Sequence, residues 1–446
     1  MNNVRFINHA SYIIETNKSI LLVDPWVEGY AFDKGWALLD STTSNDQLLD
    51  FLSNNDKNIC IWISHEHSDH FSVPFIMGLK KRKLNVKFFF QKTLDGRVAD
   101  FISKQGFAVI ESTDKLEKID SELSLVTFPF TGGDSYSLML VNGYCILNIN
   151  DCFISNKATA EQVANSYKKY TDKIDLLFTQ FGYANWFGNE SEVELRTEKS
   201  LHTLSNIKLQ VETFAPKNVV PFASFIYFCH QENFYMNDAQ NSPRDVDTFF
   251  KSKHLSADLI VLKPWDTYNL KANFEDHTEE KQSENIEYWE NLILSSSKHE
   301  TLDAEYTEID IYSEYAEYRK KVLKSFFFLP ALFERLGLLS KLKIFIKDLN
   351  IAFQFSYISG MNKINGDKRT ADIAVTSSTL MFILKNEYGA DTTQVNAKFE
   401  RVSDKGDSVF IRHFSVQHYL KNGFGVKHPI VSTKILVGIL IEKFLK

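Results

Sequence analysis

An α/β sandwich, two sheets flanked by helices, is the fold this sequence predicts for residues 1–270, with an α+β domain over 271–446. Three observations carry that expectation. Short apolar runs crowd the first 24 residues and then alternate with helical stretches, an order that suits layered sheets and helices. A second set of strand-like runs spans Leu123 to Asn150, with Asn142-Gly143 as a hairpin turn inside it. Beyond about residue 270 the chain turns charged and helical, and 446 residues exceed one ordinary core.

The elements follow in order. Val4 to Asp24 reads as three strands, turned at Asn17-Lys18 and ended by Asp24-Pro25-Trp26, since proline cannot donate to a ladder. The aromatic loop Gly29 to Trp36 comes next. Asp46 to Leu52 is a short helix, Ile59 to Ile63 a buried strand, and Val73 to Lys81 a helix that accepts Pro74 in its first turn. Val86 to Gln91 is a strand, and Leu94 to Lys104 is a helix stopped by Gly106. After the second strand set, Lys157 to Tyr170 is an amphipathic helix and Ile174 to Thr179 a strand. The loop Gln180 to Asn189 carries Tyr183 and Trp186, aromatic residues at a strand end where pockets form. Glu190 to Phe214 is a long helix and Asn218 to Pro221 a strand. Glu275 to Leu294 is a connecting helix. The second domain then reads as a helical region over Val322 to Leu342, strands at Lys343 to Ile346 and Ile351 to Ile358, and a helix at Ser377 to Asn386. Strands at Thr393 to Glu400 and Ser408 to Phe414 and a last helix at Thr433 to Leu445 complete it.

The chemistry concentrates at the end of the Ile59 to Ile63 strand, in Ser64-His65-Glu66-His67-Ser68-Asp69-His70. His65 and His67 are two apart, so on an extended chain they point the same way. Asp69 and His70 follow where the chain must turn and face a second nearby point. Imidazoles and a carboxylate in this density suit two adjacent metal ions better than a solvated polar turn. Asp151, after the apolar run Ile146 to Asn150, is within reach as a carboxylate ligand or as a helix N-cap. His230, after Phe222 to Cys229, is either a last imidazole for the site or a structural histidine.

Composition narrows the partners. A net charge of -7 gives no general attraction to nucleic acid, and a small-molecule substrate is expected. The four cysteines form no Cys-x-x-Cys pair and read as buried free thiols. Met1 to Arg5 leads straight into a strand, and no uncharged apolar run reaches the roughly 18 residues of a membrane span, so a cytoplasmic location is expected. The 37 phenylalanines include the cluster Phe326-Phe327-Phe328. They read as core or as a lipid-facing surface. The last helix, with Lys434, Lys443 and Lys446, reads as docking on its own domain, and membrane-surface contact is not expected.

The His-x-His-x-Asp-His pattern of residues 65–70 resembles the signature of the metallo-β-lactamase superfamily. The resemblance implies its αββα sandwich. His9-Ala10-Ser11 and Asp24-Pro25-Trp26 resemble the opening of the branch holding lactonase-like and phospholipase-like enzymes, which implies a pocket role for His9, with Trp36 near the same rim. Within the superfamily, Asp24 to Trp36, Ser64 to His70, Ile146 to Cys152 and Pro221 to Ala223 are similar to the metallo-β-lactamase-like part of CMP-N-acetylneuraminate hydroxylase. The second domain resembles, loosely, a sterol-carrier-like module.

Two departures bear on function. The hydroxylase's Rieske centre needs Cys-x-His with Cys-x-x-His, and no such pairing occurs here, so an oxygenase reading calls for a separate reductase. The superfamily's further histidine, in the loop before the hairpin, is replaced by Phe130-Thr131-Gly132-Gly133-Asp134, where Asp134 can substitute. The resemblance thus implies one metal on His65, His67, Asp151 and Asp134, and a second on Asp69, His70, Asp151 and His230, as zinc or iron. The first functional expectation is hydrolysis of an ester, lactone or phosphodiester, with Asp69 orienting the attacking water and His67 essential. The second is a diiron hydroxylase of a nucleotide sugar or similar anion. The third is a non-catalytic module with structural metals.

Overall fold

The computed structural model describes residues 2–93, 95–271, 278–299, 303–421 and Thr433. They form two compact units. The first comprises Met1–Ala184, Val193–Cys229 and Asn237–Ser297, and the second Asn185–Glu192, His230–Met236 and Lys298–Lys446.

The first unit is an αββα sandwich. One seven-stranded sheet places the Asn3–Asn8, Ser11–Glu15 and Ser19–Val23 strands beside Asn58–Ile63, Val86–Phe90 and Ala108–Glu111, with Thr267–Asn269 at the other edge. The second seven-stranded sheet runs from Asp258–Leu259 through Asn218–Phe222, Leu176–Gln180, Tyr144–Asn148, Ser135–Val141 and Leu123–Pro129 to Leu116–Lys118. Alternation sorts the side chains of each strand between two cores. On Asn58–Ile63, Cys60 and Trp62 face the layer between the sheets. Ile59, Ile61 and Ile63 face the outer helices, which contribute Leu48, Leu52, Phe75, Ile76, Leu79 and Ile102. Buried polar tips tie the sheets together: Trp62 Nε1 donates to Thr127 Oγ1 at 3.0 Å, and Tyr12 stacks on Phe178 at 4.2 Å between ring centres. Trp36–Leu38 is the central strand of a small third sheet, pairing with Ile226–Phe228 on one side and Tyr30–Ala31 on the other. The aromatic loop is therefore a hairpin.

The unit extends past the boundary expected at residue 271. The Glu279–Ser295 helix packs into the inter-sheet core through Ile286 and Trp289, and Trp289 Nε1 donates to the Leu262 carbonyl at 2.8 Å. Its charged face suggested a linker, but the two large apolar groups on the opposite face decide where it belongs. The Pro243–Lys253 helix went unread, although Ser242-Pro243-Arg244-Asp245 is a capping box with proline in the first turn.

The second unit is α+β. Its five-stranded sheet orders Gly360–Ile364, Ile351–Ser356, Leu342–Ile346, Ile373–Val375 and Glu400–Arg401. The expected strand at Thr393 to Glu400 is helical over its first half, in Gly389–Asn396, and reaches a strand only at Glu400, while the one at Ser408 to Phe414 lies in the Gly406–Lys421 helix. Ser408 to Phe414 is rich in β-formers, but the buried residues of that helix include Phe410, His413, Phe414 and Gln417, and that spacing is helical. The helix before the sheet starts at Glu308, earlier than the expected Val322, behind a Thr307/Asp310 capping box. Apart from Thr433, the expected last helix lies outside the described residues, and none of the described helices is long and apolar enough to cross a membrane.

Candidate metal centre

Five strand ends of the first unit deliver side chains to one place. His9 comes from the turn between the first two strands, Asp24 from the end of the third, and His65 to His70 from the end of Asn58–Ile63. Asp134 lies in the loop before Ser135–Val141, and Asn150 and Asp151 follow Tyr144–Asn148. The His65 to His70 segment turns on itself, with the amides of His70 and Phe71 donating to the His67 carbonyl at 3.1 and 2.8 Å. Ser72 then caps the next helix.

The ligand atoms fall into three overlapping groups: His65, His67 and Asp134; His65, His70 and Asp151; and His9, Asp69 and His70. His65 Nε2 is 2.8 Å from His67 Nδ1, 3.6 Å from Asp151 Oδ2 and 3.9 Å from Asp134 Oδ1. His70 Nε2 is 3.2 Å from both Asp69 Oδ2 and Asp151 Oδ2, and His9 Nε2 is 3.3 Å from Asp69 Oδ2. Asp151 thus lies between the two halves. His9, His65, Asp69 and His70 are buried, while the side chains of Asp134 and Asp151 keep 22% of their surface exposed. The centre is closed on the His9 side and open on the Asp134 side.

Asp24 organises this cluster from behind. Its Oδ1 accepts from the Ser64 amide at 2.8 Å. Its Oδ2 accepts from Ser64 Oγ and Asn150 Nδ2, each at 2.8 Å, and lies 3.0 Å from His70 Nδ1. Because the Ser64 hydroxyl proton goes to Asp24, its oxygen is left to accept from His65 Nδ1 at 2.9 Å. Both imidazoles therefore carry their proton on Nδ1 and turn an Nε2 lone pair inward, the arrangement a metal ligand needs. Burial pushes the Asp69 carboxyl up, but the neighbouring His70 and His9 imidazoles outweigh it and hold it well below the usual carboxylate range. Burial pushes His70 down, and Asp69, Asp151 and Asp24 outweigh that and raise it well above its usual value, so the carboxylates favour a cation at Nε2, whether a proton or a metal ion.

These residues fit two cations. Asp69 Oδ1 and His70 Nε2 are buried without a hydrogen bond, and buried polar atoms in folded proteins seldom go unpaired. Backbone strain also collects here: His9, Asp24, Phe32 and Asn150 have φ of +34°, +37°, +49° and +52°. Non-glycine residues hold such angles only where the surroundings over-determine them.

The remaining expected site residues fall elsewhere. The three ligand groups do not include His230. It belongs to the second unit, where its Nε2 is 3.2 Å from Asp303 Oδ2 and its Nδ1 accepts from the Glu232 amide at 3.2 Å. Glu232 and Asp303 pair with Lys347 and Lys398, so that cluster is already balanced in charge. Trp186 is also in the second unit, against Phe399 and Arg401. Trp36 and Tyr183 are buried in the first unit. Trp36 packs at 4.5 Å on Phe32, which in turn contacts His67 at 5.7 Å, so it braces a ligand instead of lining a rim. Sequence reading placed His9 in the pocket and missed its contact with Asp69. It also missed Asp24 as the orienting carboxylate, for which the only signal was the Asp-Pro-Trp strand end.

No family model matches the chain. In sequence it is similar to the inactive cytidine monophosphate-N-acetylneuraminic acid hydroxylase of Homo sapiens, 24% identical over 303 residues, covering 62% of this chain and 56% of the relative. It is similar to the cytidine monophosphate-N-acetylneuraminic acid hydroxylase of Macaca mulatta at 24% identity over 303 residues, covering 62% and 48%. The chain spans about half the length of these relatives. Among solved structures it is similar to the metallo-beta-lactamase fold protein YhfI from Bacillus subtilis, 10% identical, covering 60% of this chain and 98% of that one, with a TM-score of 0.39.

Proposed function

We propose that this chain, which has the metallo-β-lactamase fold and resembles the CMP-N-acetylneuraminate hydroxylases in sequence, is a diiron hydroxylase of a nucleotide sugar or similar anion, served by a separate reductase. The observation that carries the reading is Asp134 beside His65 and His67, where the superfamily pattern has a third imidazole. With Asp151 between the halves, each ion would have two imidazoles and two carboxylates: His65, His67, Asp134 and Asp151 on one side, His9, His70, Asp69 and Asp151 on the other. Mixed imidazole–carboxylate sets with open positions suit iron and oxygen chemistry better than a closed zinc site. When bound, the iron pair would supply the activation of dioxygen. The reaction inserts one oxygen atom into a C–H bond and releases the other as water, taking two electrons from the reductase and two protons from solvent.

The chain's own residues orient and enclose. Asp24 fixes the tautomers of His65 and His70, His9 steadies Asp69, and Phe32 packs against His67. The open side at Asp134 and Asp151 leaves room for the substrate carbon. Protein purified without oxygen is expected to hold two iron ions and, with a chemical reductant and a nucleotide-sugar donor, to consume oxygen in step with product. Two zinc ions and no oxygen uptake with any donor would sink this reading. The second reading is hydrolysis of an ester, lactone or phosphodiester. It is favoured by Asp69, whose buried Oδ1 has no hydrogen bond and is available to orient a water. Turnover of such substrates by the zinc form, lost in Asp69→Ala, would establish it.

A further inference from the structure

The second unit carries an apolar patch that its own core does not use. Phe327 and Phe328 are 63% and 68% exposed, Leu336 58% and Leu332 37%. Phe328, Leu332 and Leu336 are spaced by four along the Leu329–Arg335 helix and its two flanking residues, both in right-handed helical conformation, so they share one face. Phe327 ends the preceding helix with φ +55° and ψ −134°, an outlier for a bulky side chain, and this corner turns both rings outward.

The sequence flanking the patch is rich in cations. Lys320, Lys321, Lys324, Arg335, Lys341 and Lys343 lie on either side of it, in a chain of net charge -7. Lys320 and Lys321 pair with Glu317 and Glu387. Glu334 is buried, accepting from Ser356 Oγ and the Tyr357 amide at 2.5 Å each, and adds nothing to the surface. Lys324, Arg335 and Lys341 are exposed and have no ionic partner among the described residues.

We infer that this corner is a docking surface for an anionic lipid membrane, inserted through Phe327, Phe328, Leu332 and Leu336 and held by the flanking lysines. Exposed aromatic and leucine side chains rimmed by lysine are the pattern of interfacial membrane binding, which needs an apolar anchor and a polybasic rim together. A protein partner is disfavoured, because lysine is depleted at protein–protein interfaces. Lysine stems lie along apolar surface while their ammonium groups reach lipid phosphates. Of the two sequence readings of the three phenylalanines, core or lipid-facing, this takes the second for Phe327 and Phe328, and it is independent of the reaction at the metal centre.

The test is co-sedimentation of the full chain with phosphatidylcholine vesicles, with and without phosphatidylserine, at low and high salt. Binding is expected with phosphatidylserine, weakening as salt rises. The double change Phe327→Ser/Phe328→Ser should cut partitioning about tenfold or more while leaving Tm unchanged, since both rings are exposed. Lys324→Glu/Lys341→Glu should remove the preference for phosphatidylserine. Absent binding at low salt, or binding that survives the phenylalanine changes, would overturn the assignment. So would a wild-type dimer that the phenylalanine changes dissociate without any vesicle binding.

Discussion

Changing Asp24 to Asn tests the logic of the metal centre without touching a ligand. The carboxylate accepts four hydrogen bonds at 2.8–3.0 Å and is fully buried. In Asp24→Asn the amide oxygen can still accept from the Ser64 amide. The new NH2 group then faces Asn150 Nδ2 and His70 Nδ1, both donors in the native protein. The cheapest escape is for His70 to move its proton to Nε2, the atom that must ligate, and for Ser64 to release His65. Loss of such an orienting partner typically costs 10- to 100-fold in metal affinity, about 1.4–2.7 kcal/mol. Because one carboxylate serves two imidazoles, the upper end is expected, and both ions should weaken together. Chelator-competition titration of apo protein would measure it, with circular dichroism to verify the fold. Glu66→Gln is the control, since Glu66 pairs with Arg97 at 2.9 Å outside the ligand groups and should leave affinity unchanged. A folded Asp24→Asn protein binding both ions within about threefold of wild type would refute the tautomer argument.

Other expectations follow from single placements. Asp134→Ala should cost the protein one of its two ions, whereas His230→Gln should keep both; elemental analysis after dialysis distinguishes them, and loss of an ion in His230→Gln would refute the present ligand set. Trp289→Ala should destabilise the first unit by about 3–5 kcal/mol in urea unfolding, because it empties a large site in the inter-sheet core. A loss under about 1 kcal/mol would show that the Glu279–Ser295 helix is only a linker. His413 is buried against Tyr357, donating from Nδ1 to the Ser340 carbonyl at 2.8 Å, and burial pushes its pKa down to about 4. Between that value and about 6.5 the unfolded chain binds the proton and the folded one does not, so stability falls as pH drops through this window, by up to about 3 kcal/mol. His413→Phe should flatten that slope in pH-dependent unfolding, and an unchanged slope would place the titration elsewhere.

Much of the first unit was legible because its signals are local. The alternation of Asn58–Ile63 between two cores, the proline-started helix at Val73–Lys81 and the Asn142-Gly143 hairpin each rest on contiguous residues. The same holds for His65 to His70, four candidate ligands in six positions. Errors arose where the intrinsic preference of a segment was outvoted by its surroundings. Val409, Phe410 and Ile411 favour a strand, but the second unit offers a helical slot for Phe410 and Phe414.

Sequence alone pointed to a cluster of candidate metal ligands at a strand end, inside an αββα sandwich followed by an α+β unit. Those facts follow from residue type and short-range spacing. Tertiary structure decided which distant side chains complete the set. His9 and Asp24 are separated from His70 by 61 and 46 residues, yet sheet pairing brings them to one point, while His230 is drawn to Asp303 instead. Pattern and propensity act over a few residues, but a metal centre needs donors converging within a few ångströms, and only the packing of strand ends sets that convergence.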